Sequence, residues 1–194
     1  MQAVLDEVSN RLKTTDESLI RIPDVCKATG VNYGSVYHHF GSREGVIDAA
    51  YNSLFSELAE EDIAVLRDAS LRATTLDEYI VALEPMIGQF SSGPERMQRR
   101  AIRVRIVAAS LTRPELKVLI GLTQARLTKE LVRLVSEGQK RGWLRADLSA
   151  RSIALVLQVI VFGRILDDIS FDPIDPAEWE TSMGVMFNGL FSQS

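Results

Sequence analysis

Between Asn32 and Arg43 the sequence gathers Tyr33, Ser35, Tyr37, His38, His39 and Arg43 around Gly34. These are hydrogen-bonding side chains beside a position where a backbone could be approached closely. Three chemistries suit such a set. The adjacent His38 and His39 invite a metal reading, but neighbouring helical positions point about 100° apart, and neither a cysteine nor an HxxxH partner accompanies them. No metal is expected. Catalysis is the second, yet the chain carries no Gly-x-Ser-x-Gly elbow, Walker loop or dinucleotide fingerprint. No catalytic residue, no cofactor and no enzymatic activity are expected. The third is nucleic-acid contact, in which tyrosine, serine and histidine meet base edges and phosphates and Arg43 meets a phosphate.

The flanking residues explain how these groups would be held. A short amphipathic helix with Ile22, Val25 and Cys26 inward runs to Gly30, which can take the left-handed conformation that ends a helix. Val31 can tuck into a core and Asn32 can cap the next helix. Within that helix Val36 and Phe40 are four apart and pack inward, so Gly34 and His38 lie on the opposite face, flanked by Ser35 and Tyr37. Ser42 and Arg43 open a long following helix whose first amides could point at a phosphate. Two short helices joined so closely have helix-turn-helix spacing.

Elsewhere helical periodicity dominates and no stretch alternates with period two, which predicts an all-α fold of about nine helices. They are expected near 1–13, 22–29, 33–39, 43–68, 75–90, 94–110, 114–140, 149–169 and 176–191. Thr75 with Glu78, Ser92 with Glu95, Thr112 with Glu115 and Asp175 with Glu178 have capping-box spacing. Pro94, Pro114 and Pro176 suit first turns, whereas Pro85 falls inside a stripe and should kink it or displace its backbone bonds. The 194 residues are 46% hydrophobic, enough for a small reading module and one larger core.

The run TGVNYGSVYHHFGSREGVIDAAY, residues 29 to 51, resembles the DNA-binding motif of TetR-family (tetracycline-repressor-like) regulators. The resemblance implies an N-terminal three-helix helix-turn-helix domain over 1–45 and a helical ligand-binding and dimerisation domain over 46–194. It implies that Tyr33, Gly34 and Ser35 face bases, that Tyr37 and His39 hold the phosphate backbone or groove wall, and that Arg43 contacts phosphate. His38 is placed to read bases, and Asn32 and Arg21 complete the set. Ile20, Arg21 and Ile22 stand where the family commonly has a threonine pair, so Arg21 is expected to replace a phosphate contact. The partners implied are a palindromic double-stranded DNA operator, a small-molecule effector and a second copy of the chain. The function implied is a repressor released by that effector.

For an effector pocket, Met86, Phe90, Met97 and Trp143 offer adaptable apolar walls, and Arg103 or Arg105 could pair with an anion such as a carboxylate or acyl thioester. Core packing, or a solvated basic face over Arg96 to Arg105, accounts for them equally. The 149–169 helix is apolar nearly all round and needs cover on both sides. With the last helix it resembles the family's dimerising pair, which places the interface at Leu155, Val159, Phe162, Gly163, Leu166, Trp179, Met183, Met186, Phe187 and Leu190.

Charge speaks against this reading. The chain carries a net charge of −4. In residues 1–50, Arg11, Lys13, Arg21, Lys27 and Arg43 face Asp6, Glu7, Asp16, Glu17, Asp24, Glu44 and Asp48. DNA binding must then rest on where charge is placed. The alternative is an effector-binding or protein-interaction dimer with a vestigial helix-turn-helix. The lone Cys26, the absence of a signal-type opening and the shortness of the longest apolar run, 153–162, fit a cytoplasmic protein that meets no membrane.

Overall fold

The computed structural model describes residues 1–89 and 93–191, with the side chains of all of these except 62 and 84–89. Along the chain run α1 Gln2–Thr14, α2 Ile22–Thr29, α3 Tyr33–Phe40, α4 Arg43–Arg72, α5 Leu76–Gln89, α6 Pro94–Thr112, α7 Pro114–Lys140, α8 Ala150–Gly163, the four-residue α9 Ile165–Asp168, and α10 Pro176–Asn188. A 3-10 turn, Glu17–Leu19, precedes α2. Apart from an antiparallel bridge between Leu144 and Phe191, the described residues form no β-structure. None of their helices is long and apolar enough to cross a membrane.

Local chemistry accounts for most of the boundaries. Gly30 ends α2 at φ 69°, in the left-handed region that a residue with Cβ rarely enters. Thr75 Oγ1 accepts from Glu78 N at 3.2 Å, while Glu78 Oε2 accepts from Thr75 N at 3.4 Å, so the expected capping box is formed. Asp175 Oδ1 accepts from the amides of Ala177 and Glu178 and starts α10. The box expected at Thr112 does not form. Thr112 is still inside α6, and its hydroxyl donates back to Ala109 O at 3.2 Å. The fourth box, at Ser92, lies outside the described residues, and α5 continues through Pro85.

The continuous helix expected over 149–169 is broken. Its first part, α8, stops at Gly163, and the Arg164 amide donates to both Ile160 O and Phe162 O. The physical reason is the Arg164 side chain, which is only 1% exposed and turns inward over the Trp179 ring, 4.7 Å from its centroid, to bond Asp167. A cation drawn under the helix cannot stay on a straight continuation of its apolar surface.

The chain divides into two compact units, Met1–Leu58 with Val104–Thr123, and Ala59–Arg103 with Gln124–Ser194. The first therefore contains the whole 1–45 stretch together with more of α4 and the segment that joins α6 to α7. Val4, Val8, Leu12, Ile22, Val25, Val36, Ile47, Leu54, Ile106 and Leu116 are buried in it. Each such side chain contributes on the order of 1.5–3 kcal/mol by leaving water. In the second unit Leu66, Tyr79, Ile102, Leu134, Trp143, Ile153, Met183 and Phe187 are buried. Burial there leaves apolar side chains uncovered, since Leu155, Val156, Val159, Leu166, Ile169, Phe171, Val185 and Met186 are all exposed.

Candidate nucleic-acid interface and ligand cavity

In the first unit α3 is set by its ends and its buried side. Asn32 Oδ1 accepts from Gly34 N at 2.8 Å, satisfying an amide that the first turn leaves without a partner. Val36 is fully buried and Phe40 half-buried, while Tyr33, Gly34, Ser35, His38 and His39 are exposed. The face expected to be free is free. Tyr33 and Tyr37 pack with ring centroids 4.6 Å apart, and the Tyr37 phenol is raised above its ordinary value, first by the Tyr33 hydroxyl and then by burial. Tyr37 accordingly acts as a neutral hydrogen-bonding group near neutral pH. Replacing Asn32 with alanine is expected to cost about 1 kcal/mol, read as a lower urea midpoint, because the capped amide loses its acceptor.

Two expected phosphate contacts are placed differently from each other. Arg21 is exposed at the start of α2, with its side chain making no cap bond. Arg43 is already engaged, donating from Nε to Ile20 O at 3.2 Å and from Nη2 to Glu17 O, with Glu44 Oε1 at 3.6 Å from Nη1. Its first role is to tie the start of α4 to the turn before α2. Arg113 reinforces that turn by pairing with Glu17 and with Asp48 at 3.0 Å. Burial raises the Asp48 carboxyl, an effect the Arg113 hydrogen bond opposes. Ser42 Oγ accepts from Gly45 N at 2.9 Å and so starts α4, as the sequence suggested.

Of the six pocket residues read from the sequence, the four that are described have separate surroundings. Arg105 belongs to the first unit, where Nη2 donates to Leu12 O. Arg103 is in the second unit, buried, with its guanidinium 5.8 Å from the Phe162 ring centroid. Met97 is exposed. Trp143 is buried between Tyr79, at 5.0 Å between centroids, and the Arg141 guanidinium, at 4.8 Å from its ring. The Met86 side chain and all of Phe90 lie outside the described residues.

A cavity of about 200 Å³ lies instead within the second unit, walled by Leu66, Tyr79, Leu83, Val135, Leu144, Ile153, Leu157 and Phe187, with Asn188 and Leu190 also contributing. Met97, Arg103, Arg105 and Trp143 do not line it. Two residues assigned to the dimer surface, Phe187 and Leu190, do. No signal in the sequence marks this space, because it is volume left between side chains of α4, α5, α7, α8 and α10. The other proposed interface residues divide as well. Met183 and Phe187 are buried, Phe162, Trp179 and Leu190 half-buried, and Leu155, Val159, Gly163, Leu166 and Met186 exposed.

Comparison with known proteins bears on what the exposed α3 face does. The model of the bacterial regulatory proteins of the tetR family matches residues 20–50, the stretch that contains α2, the turn, α3 and the start of α4. The chain is 22% identical over 170 residues to the HTH-type transcriptional regulator UidR of Escherichia coli, covering 88% of this chain and 82% of that one. Residues 20–50 carry the tetR-family DNA-binding element. A further relative is the HTH-type transcriptional repressor AcnR of Corynebacterium efficiens, 29% identical over 139 residues, which cover 72% of this chain and 65% of that one. A transcriptional regulator of Saccharomonospora viridis, solved in complex with choline, shares the fold with a TM-score of 0.70 at 16% identity, over the whole of this chain and 97% of that one. The α2–turn–α3 element that the tetR-family model matches is thus the DNA-reading element, and the chain is a DNA-binding transcriptional regulator.

Proposed function

We propose that two copies of the chain pair through the exposed apolar surface of α8 and α10, place their α3 helices in successive major grooves of a near-palindromic operator, and repress transcription there. Residues 1–45 act as the reading head and the remainder as the sensing and pairing domain. The observation that carries this is α3 itself, capped by Asn32, anchored by Val36, and presenting Tyr33, Ser35, His38 and His39 outward. A small molecule releases the operator by binding one arrangement of the protein better than the other, which shifts the population. Supporting this, α4, α6 and α7 each contribute to both compact units, and a neighbour of the same fold holds a small molecule, choline.

The test is selection of bound sequences from a random DNA pool. The expected product is a palindrome with half-sites about 34–36 Å apart, bound orders of magnitude more tightly than random DNA and released steeply by salt. Tyr33→Ala with His38→Ala should abolish the enrichment while leaving thermal stability close to that of the parent, since both side chains are exposed. These positions serve better than Arg43, whose bonds to Ile20 O and Glu17 O would confound folding with binding. No enrichment at low salt would favour instead the effector-binding dimer with a vestigial helix-turn-helix, in keeping with the excess of acids over bases in residues 1–50.

A further inference from the structure

The cavity of the second unit has a chemistry of its own. Among its described lining residues the side chains able to hydrogen-bond are those of Tyr79 and Asn188, and none is charged. Asn188 is exposed, at the outer edge. Tyr79 is fully buried, and its hydroxyl makes no well-formed hydrogen bond, although the buried Ser70 hydroxyl lies beside it. Burial raises the Tyr79 phenol above its ordinary value, an effect that the Ser70 hydroxyl opposes. A buried hydroxyl so loosely engaged carries a penalty that a suitable guest can reduce.

From this we infer that the cavity takes an uncharged, mainly hydrocarbon molecule with one hydroxyl or carbonyl group, and rejects both anions and cations of the same shape. The inference rests on the reading of the second unit as a sensing domain and names the ligand class. Apolar transfer rewards the body of the guest, whereas an ion would leave water without a counter-charge. Size agrees: a 150 Å³ apolar cavity holds benzene, so about 200 Å³ suits one or two fused rings or a short branched chain. The anionic partner that Arg103 and Arg105 suggested in the sequence finds neither arginine here.

Three molecules of one shape separate the possibilities: 2-naphthol, 2-naphthoate and 2-naphthylmethylammonium. Titration calorimetry on the purified chain, free of DNA, should show 2-naphthol binding at least 100-fold more tightly than either ion. Leu157→Trp and Leu83→Phe, which fill the space from opposite helices, should each abolish 2-naphthol binding, and Val81→Trp on the exposed side of α5 should leave it unchanged. Comparable affinity for an ion, no binding of 2-naphthol up to its solubility, or full binding to a folded Leu157→Trp protein would overturn the inference. Because the titration involves no operator, it is independent of repression. Binding of 2-naphthol with no loss of operator affinity would count against effector release and leave the ligand class standing.

Discussion

Replacing Arg100 with methionine is expected to remove roughly 3–5 kcal/mol of folding stability, a large part of what a single domain possesses. Arg100 of α6 forms a two-pronged pair with Asp168 of α9, Nε to Oδ2 at 2.5 Å and Nη2 to Oδ1 at 2.6 Å. The side chains are 4% and 5% exposed, so neither charge has water to fall back on. Methionine fills much of the space of the arginine stem, which isolates the electrostatic effect. What remains is a buried carboxylate whose bidentate partner has gone. The urea midpoint should fall with little change in slope, the signature of lost stability with the same surface exposed on unfolding. The double variant Arg100→Met with Asp168→Leu should recover part of the loss, since no carboxylate is then left at position 168. A single variant within about 1 kcal/mol of the parent would mean that water reaches Asp168. The pair also explains the turn at α9. Arg164 and the Ile174 amide hold the Asp167 carboxyl below its usual range, while the next residue, Asp168, faces Arg100.

This knot illustrates which parts of the fold were legible in the sequence. The α2–turn–α3 element was read correctly because its determinants are local. Gly30 ends one helix, Asn32 caps the next, and Val36 and Phe40 fall on one side through spacing alone. Arg100 and Arg164 left no comparable mark, since an arginine in a basic run or after an apolar stretch looks the same whether it ends in water or under a helix. Arg103 and Arg105, offered as alternative partners of an anion, could not both have faced one pocket. Two positions apart on a helix, they point about 200° from each other, and one packs on Phe162 while the other reaches Leu12 O. The stripe Trp179, Met183, Met186, Phe187 and Leu190 failed for a related reason. On a helix with apolar residues on two sides, periodicity selects no side, and Met183 with Phe187 face the core while Val185 and Met186 face out.

That distinction sets the second large expected effect. Val159→Glu should convert the proposed dimer to a monomer and weaken operator binding at least 100-fold. Val159 is 57% exposed on α8, near Leu155 at 57% one turn before it, and the same surface type recurs at Leu166 and Met186. Around a two-fold axis a residue of the patch meets the same patch of the partner. A glutamate there brings a carboxylate to each side of an apolar contact, where it must lose water without gaining a counter-charge. The monomer itself should fold normally, because the position is open to solvent within one chain. Sedimentation should therefore report a single species of monomer mass, and its melting temperature should be independent of concentration, whereas that of the parent should rise with it. Operator affinity falls because the second reading head no longer arrives tethered to the first, and that tether is worth about 10²–10⁴. Met183→Ala supplies the contrast. It removes a side chain buried within the chain, so it should lower stability by about 2–5 kcal/mol without a direct effect on pairing. A Val159→Glu protein that remains dimeric would move the interface away from α8 altogether.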